Sequence, residues 1–312
     1  MKKQLQNKIA ESKLALPVIV LYALVVWLLC GLITEQWWLQ FGCFAISTYL
    51  MVELNNVYAL IRIYSRMVSC TFLALACCGC FLFPSLRGAI FQLCFIGSII
   101  ILFHSYQDKQ SVGTTYYSFL MLGLASMAFV HIVFLIPILW ILMGTHLQSL
   151  SWRTFGASLL GVLTPYWISA CWFIYQEDFT PLFAHFETLV VFDFPFDYQS
   201  LSLSQILYYF LIVILTLTGI VHYIRRHQGD KIRIRLLYGF FAWIDIVTLT
   251  FLALQPQHYD ALIRVATVCT APLLAHFIAL TNTKVTNIAF FVIIGTILIL
   301  TTYTLWTASS LF

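Results

Sequence analysis

The sequence predicts an all-α fold, a polytopic bundle of transmembrane helices. Hydrophobic residues make up 62% of the chain and charged residues only 9%, whereas a soluble domain carries about a quarter charged residues. The apolar residues form long runs and lack the alternation over about ten residues that a membrane β-barrel requires. The basic residues are spread over short loops, so no surface for nucleic acid is predicted. The main partner of the chain is therefore a lipid bilayer.

The first third of the chain predicts four membrane helices, at 14–34, 39–56, 67–83 and 89–105. The basic start of the chain resembles a signal peptide, but no cleavage site of small residues follows the first apolar run. We therefore expect an uncleaved first helix. Trp37 and Trp38, between the first two helices, have the position of an interfacial aromatic belt.

The uncharged middle of the chain decides the topology of everything after it. The apolar stretch 114–145 is long for one crossing, which takes about 20 residues, and short for two. With two short helices, at 114–129 and 132–145, every Lys and Arg except Arg87 and Arg264 lies on the side of the N-terminus. The positive-inside rule favours this alternative. It predicts a bacterial inner-membrane protein with a cytoplasmic N-terminus.

The second half of the chain predicts five further membrane helices and one long polar loop. The helices are expected at 154–175, 206–224, 236–254, 262–280 and 285–305, which gives eleven membrane segments in a single integral membrane domain, residues 1–312. Within the outer loop, 176–205, Thr180-Pro181 is typical of a helix start. Apolar residues then recur on one helical face, so this loop is predicted to carry an interfacial helix.

The acidic residues of the outer side are the first candidates for chemistry. Glu35 lies in the short turn after the first helix, where a carboxylate can act as a general base or hold a divalent cation. The alternative is a solvated turn residue. Glu177, Asp178, His131 and His185 are expected to line the same site. No further metal site is predicted, because His and carboxylate pairs do not recur at the spacing of a di-metal bundle.

Arg87 and Arg264 are the two basic residues predicted outside. An arginine at a helix end can bind a lipid phosphate through two parallel hydrogen bonds. The alternative is ordinary extension of the side chain toward the headgroup layer. Asp245, inside a predicted helix, is a functional candidate because ionisable groups at membrane depth are costly. It is otherwise a polar contact between neighbouring helices.

A loose pattern resembles the first half of GT-C-type glycosyltransferases, polytopic enzymes that use polyprenyl-phosphate sugars. In that family a basic turn precedes a helix ending in Pro, and a Gly-Leu-Ala element, a second basic turn and another Pro follow. The matching residues are Phe83-Pro84, Leu122-Gly123-Leu124-Ala125-Ser126, Pro137, Trp152-Arg153 and Pro165-Tyr166. The resemblance implies a GT-C-like scaffold that binds a polyprenyl-linked glycan, with Glu35 as the catalytic acid.

The chain departs from that family at two acidic positions. The family usually has an Asp in the first outer loop, where this chain has Glu35. A second acid often follows the third helix, where this chain has Ser85-Leu86-Arg87. The resemblance therefore implies either a glycosyltransferase or a catalytically degenerate relative.

A second resemblance covers most of the chain. It is similar to a group of uncharacterised multi-pass inner-membrane proteins from Bacteroidota. The residues concerned are Leu54-Asn55-Asn56, Ser151-Trp152-Arg153, Gly161-Val162-Leu163-Thr164-Pro165-Tyr166 and Ala271-Pro272-Leu273-Leu274-Ala275-His276. This resemblance implies no activity. It leaves open the alternative of a non-enzymatic scaffold, or a subunit with a membrane-protein partner.

Overall fold

The computed structural model describes residues 4–190, 198–199, 201–226 and 229–309, so part of the predicted outer loop (191–197 and 200) lies outside the described residues. Within these ranges every regular element is a helix. The α-helices are α1 (Leu5–Ala10), α2 (Ala15–Leu29), α3 (Trp38–Tyr58), α4 (Met67–Cys78), α5 (Leu86–Phe103), α6 (Val112–Ala128), α7 (Ile136–Leu142), α8 (Trp152–Gln176), α9 (Thr180–Glu187), α10 (Leu203–Arg226), α11 (Ile232–Leu254), α12 (Tyr259–Leu280) and α13 (Lys284–Ser309).

In the described part of the chain, seven helices are long and apolar enough to cross a membrane. They identify a multi-pass membrane protein. The other four predicted segments are also helical, as α2, α3, α4 and α6. However, α2 and α4 are short apolar helices. At 1.5 Å per residue, the 15 residues of α2 fall short of a hydrocarbon core about 30 Å thick.

The two ends of the bundle differ in charge. One end, here called the basic end, holds the N-terminus and the turns before α4, α6, α8, α11 and α13. At this end Arg62 Nη1 donates to the Gly229 carbonyl at 3.2 Å, and Gln6 Nε2 donates to the Ile278 carbonyl at 2.6 Å. The opposite end, here called the acidic end, holds the turns before α3, α5, α9, α10 and α12. At this end Gln40 Nε2 donates to the Pro84 carbonyl at 3.2 Å.

The uncharged stretch 114–145 runs from the basic end to the acidic end and back to the basic end. After α6 the backbone becomes extended at Phe129, and a 3-10 segment, Val130–Leu135, leads into α7 and a π-helical turn, Met143–Leu147. The Gln107 amide then donates to the Leu147 carbonyl at 2.8 Å. Both ends of the stretch therefore lie at the basic end, as the two-helix alternative requires.

Helix α12 forms the centre of the bundle. Its most apolar stretch is entirely buried within the protein, and it packs against α1, α4, α5, α10 and α11. It runs parallel to α10, and matching contacts recur every three residues along the two helices. The pairs are Thr216 with Thr270, Gly219 with Leu273, and His222 with His276. A Cβ on Gly219 would lie 2.8 Å from the Leu273 Cβ, so the two helices pack closely there.

Glycines also bring α6 and α8 together. A Cβ on Gly161 would lie 2.6 Å from the Tyr116 carbonyl oxygen, and one on Gly123 would lie 2.7 Å from the Val162 carbonyl oxygen. Toward the acidic end, the Ser126 and Tyr166 hydroxyls are hydrogen-bonded at 2.7 Å. The two antiparallel helices therefore pack backbone to backbone.

Two predicted helix ends were wrong for local reasons. Helix α2 ends at Leu29 rather than Thr34, because Gly31 adopts a positive φ of 103°, which terminates helices. Helix α4 ends at Cys78 rather than Phe83, and a short 3-10 turn follows Gly79. Helix α9 begins at Thr180, within one residue of the predicted start, and the Thr180 amide donates to the Asp178 carboxylate at 2.9 Å.

The close packing of α6 and α8 predicts that Gly161→Ala lowers the melting temperature. The added methyl overlaps backbone atoms of α6, and overpacking costs about 1–3 kcal/mol. The matched control is Gly156→Ala on the same helix, where a Cβ meets nothing within 4 Å. Thermal unfolding of the purified protein in detergent measures both. Equal melting temperatures for the two variants would contradict this packing.

Candidate functional site

A cavity of about 300 Å³ opens at the acidic end. It is formed by the first turn of α5, by the end of α6 and by residues 257–261 at the start of α12. Ser85 caps α5, since its Oγ accepts the Gly88 amide at 3.1 Å. The first turn of a helix carries the positive end of the helix dipole. The geometry of α5 thus places a positive potential on the cavity wall.

Arg87 lines this cavity and is exposed. Within the described part of the chain it forms no salt bridge. An arginine that forms no internal salt bridge keeps its guanidinium donors available for an external anion. Arg87 is therefore the group of this cavity that is best placed to contact a ligand.

Arg264 lies behind the cavity wall and is already engaged. Its side chain is 7% exposed, and it forms a salt bridge of 3.2 Å with Asp260. Its other donors reach the Gln92 side chain at 3.3 Å and the Leu82 carbonyl. The second Asp260 oxygen accepts the Ser85 hydroxyl at 3.0 Å. The guanidinium of Arg264 thus connects α12 to α5 and to the turn after α4.

Two histidines pack against each other beside the cavity. His258 lines the cavity, and its ring centroid is 3.8 Å from that of His131. Phe129 packs against both rings, at 5.2 Å from His131 and 5.3 Å from His258. The His131 ring therefore packs against the His258 ring, and the His258 imidazole lines the cavity.

His185 joins the short helix α9 to the bundle. Its Nε2 lies 3.1 Å from the Ser126 carbonyl oxygen and 3.4 Å from the Tyr166 hydroxyl. The contact with the carbonyl requires an N–H on Nε2. Burial lowers the pKa of His185, and the hydrogen bond to the Ser126 carbonyl opposes that change. Neutral His185 thus attaches α9 to the ends of α6 and α8.

The structure leaves the predicted acidic residues outside the cavity. Glu35 is exposed in the turn between α2 and α3, and Glu177 is exposed at the end of α8. Asp178 is also exposed, and its hydrogen bonds with Thr180 lower the pKa of the carboxyl. Among the described residues there is no group of three or more His, Cys, Asp or Glu side chains able to hold a metal ion. Of the residues singled out in the sequence, Arg87, Arg264 and His131 lie at or behind the cavity.

Sequence reasoning missed Ser85, Gln257, His258 and Asp260 as residues of this site. One signal was present, because Asp260 and Arg264 have the spacing of four residues that places opposite charges side by side on a helix. No periodic signal marks Gln257 and His258, which lie in a turn. Only the packing of α12 against α5 brings them to Arg87.

A second polar cluster closes the basic end. His276 Nε2 lies 2.9 Å from the Asp230 carboxylate, and the Nδ1 atoms of His276 and His222 lie 3.2 Å apart. Arg62 approaches the other Asp230 oxygen at 4.0 Å. Asp230 and His276 are almost completely buried. The cluster connects α10 and α12 to the turns before α4 and α11, so we assign it a structural role.

Comparison of the chain with known protein-family models, with curated proteins and with solved structures finds no significant match.

The packing of Gly88 against the ion pair predicts that Gly88→Ala lowers the melting temperature. A Cβ there would lie 2.6 Å from both Arg264 Nε and Asp260 Oδ2, so the buried salt bridge would have to shift. Gly97→Ala, on the same helix, is the control because a Cβ there meets nothing within 4 Å. Thermal unfolding in detergent compares them. An unchanged melting temperature for Gly88→Ala would show that the ion pair moves without cost.

The attachment of α9 is predicted to weaken in acid. The pKa of His185 in the folded protein lies below its ordinary value of about 6.5. When α9 is detached, His185 has its ordinary pKa and binds protons more readily than when α9 is attached. Attachment of α9 is therefore most stable above about pH 6.5, and it weakens as the pH falls toward the lower pKa of the attached state. Limited proteolysis between pH 7 and pH 5 is expected to cut residues 176–190 faster at low pH.

His185→Gln is expected to remove most of this pH dependence, whereas His104→Gln, at the basic end, serves as the control. A proteolysis profile that keeps its pH dependence in His185→Gln would assign the effect to another group.

Proposed function

We propose that this protein is a multi-pass protein of the bacterial inner membrane, with the acidic end facing away from the cytoplasm. Support comes from the distribution of charge in the fold. All the Lys and Arg residues of the described chain except Arg87 and Arg264 lie at the basic end. Basic loops are retained on the cytoplasmic side of bacterial membranes.

We propose further that the cavity at the acidic end binds the phosphate of an anionic lipid, of the polyprenyl-phosphate-linked glycan class. The observation that carries this proposal is Arg87, which lines the cavity without an internal salt-bridge partner. The adjacent first turn of α5 supports it, because helix N-termini favour bound phosphate. Asp260 does not cancel the positive charge, since it is paired with Arg264.

An apolar groove provides a place for the hydrocarbon chain of such a ligand. It has a volume of about 310 Å³ and is lined by Tyr209, Leu252 and Tyr259, among others. Tyr259 is the residue directly before Asp260, so the groove and the cavity each have a lining residue in the first turn of α12. A phosphate near Arg87 and a lipid chain along this groove fit an amphipathic ligand.

The geometry favours binding over sugar transfer. A GT-C-type transferase requires a carboxylate next to the acceptor hydroxyl. Among the described residues that line this cavity the one carboxylate is Asp260, which is paired with Arg264, and Glu35 is exposed elsewhere at the acidic end. This observation supports the second candidate function, a non-enzymatic subunit that presents the lipid to a membrane-protein partner. The proposal requires no metal cofactor.

Arg87→Ala is predicted to weaken binding of a short-chain polyprenyl phosphate about tenfold or more, since a hydrogen bond to a charged group contributes about 1.5–3 kcal/mol. Native mass spectrometry of the protein in detergent measures the bound fraction. Arg153→Ala, an exposed arginine at the basic end, is the control. The matching polyprenol, which lacks the phosphate, is expected to bind both variants equally. Unchanged phosphate binding by Arg87→Ala would overturn the proposal.

Glu35→Gln separates binding from transfer. We expect polyprenyl phosphate binding to be unchanged, because the Glu35 side chain does not line the cavity. An assay of sugar transfer from a polyprenyl-phosphate sugar, run in parallel, addresses the enzymatic alternative. If the unmodified protein transfers sugar and Glu35→Gln abolishes that transfer, the protein is a GT-C-type enzyme and the non-enzymatic assignment is refuted.

A further inference from the structure

A completely buried carboxylate lies where α10, α11 and α12 meet. Asp245, on α11, is 0% exposed. Its Oδ2 accepts hydrogen bonds from the Thr216 hydroxyl at 2.9 Å and from the Thr270 hydroxyl at 2.8 Å. The two hydroxyls lie 2.8 Å from each other. One oxygen of the carboxylate thus holds the three helices together.

The other oxygen of Asp245 has no hydrogen-bond partner. Thr248 follows one turn later on the same side of α11, and its buried hydroxyl is also without a partner. A buried polar atom without a hydrogen-bond partner is unusual in folded proteins. For a carboxylate oxygen the cost is highest when the group is charged, and a proton on Oδ1 removes that charge.

The surroundings of Asp245 offer no charge to balance an ionised carboxylate. Within the described residues no Lys, Arg or His forms a salt bridge with it. The titratable group nearest in electrostatic terms is the Cys269 thiol on α12, and α10 contributes Thr216, which does not titrate. An unpaired charge at membrane depth is energetically unfavourable. Protonation removes this cost.

Asp245 lies deep in the membrane-spanning part of the bundle, and the space around its carboxylate suits a proton rather than a larger ion. Asp245 lies about 20 Å along α11 from Ile232, at 1.5 Å per residue, which places it near the middle of the helix. The Thr216, Thr270 and Asp245 oxygens are in direct hydrogen-bond contact. None of these residues lines the cavities described above. A metal cation needs space between its oxygen ligands, whereas a proton needs none.

We propose that Asp245 is a membrane-embedded proton-binding site. The carboxylate takes up one proton on Oδ1 to form a neutral carboxylic acid, and release of that proton regenerates the carboxylate. Loss of the proton leaves a negative charge between α10, α11 and α12, which favours entry of water and separation of these helices. The protonation state of Asp245 thus controls the packing of the bundle centre. This proposal does not depend on lipid binding at the acidic end.

Infrared difference spectroscopy of the purified protein tests this proposal. We expect a carbonyl band of a buried protonated carboxyl group at pH 7 that shifts in heavy water, disappears as the pH is raised and is absent from Asp245→Asn. Glu35→Gln is the control and is expected to keep the band. The melting temperature of the unmodified protein is expected to fall as the pH is raised, and that of Asp245→Asn to remain flat.

Thr270→Val provides a second variant if Asp245→Asn does not fold. It removes one of the two hydroxyls that donate to Asp245 Oδ2, so the carbonyl band is expected to persist at a shifted frequency. Absence of any protonated carboxyl band at pH 7 would overturn the proposal. A melting temperature that rises with sodium and loses this response in Asp245→Asn would also overturn it, because the site would then bind a metal cation.

Discussion

The structure depends on the hydrogen bonds that satisfy a polar helix buried in an apolar bundle. Helix α12 is surrounded on all sides, yet it carries charged or polar side chains at both ends and in its middle. Such groups must find partners within the protein, since neither lipid nor water supplies them. Arg264 takes its partners from α5, Thr270 from α10 and α11, and His276 from α10 and the following turn. These contacts determine which helices surround α12.

The helical class and the return of the uncharged stretch could be predicted from the sequence, because both follow from total hydrophobicity and from the distribution of charge. The helix ends could be predicted less well. Gly31 ends α2 through a backbone conformation that a hydropathy pattern does not contain. The cavity was not predictable, because Gln257 and His258 reach Arg87 only through tertiary packing. The cavity joins segments far apart in the chain, so local spacing carries no signal for it.

Part of the pattern that carries the resemblance to GT-C-type enzymes lies at positions of helix packing in this fold. Gly123 approaches the backbone of α8 and the Pro165 ring, and the Ser126 hydroxyl bonds that of Tyr166. Both pairs lie in the interface between α6 and α8. The spacing of small residues and proline is therefore explained by the need of two antiparallel helices to approach closely.

Arg87 and Arg264 have identical side chains, but their neighbours differ, so one is available to a ligand and the other is part of an internal ion pair. Both lie at the acidic end, but Gly88 leaves space for the Arg264 guanidinium to pack on α5 beside Asp260. That arrangement neutralises Asp260, which lines the cavity and would otherwise repel an anion. The single positive charge of Arg87 then dominates the cavity. Recognition of a phosphate would therefore require Arg264 as well as Arg87, although only Arg87 would touch the ligand.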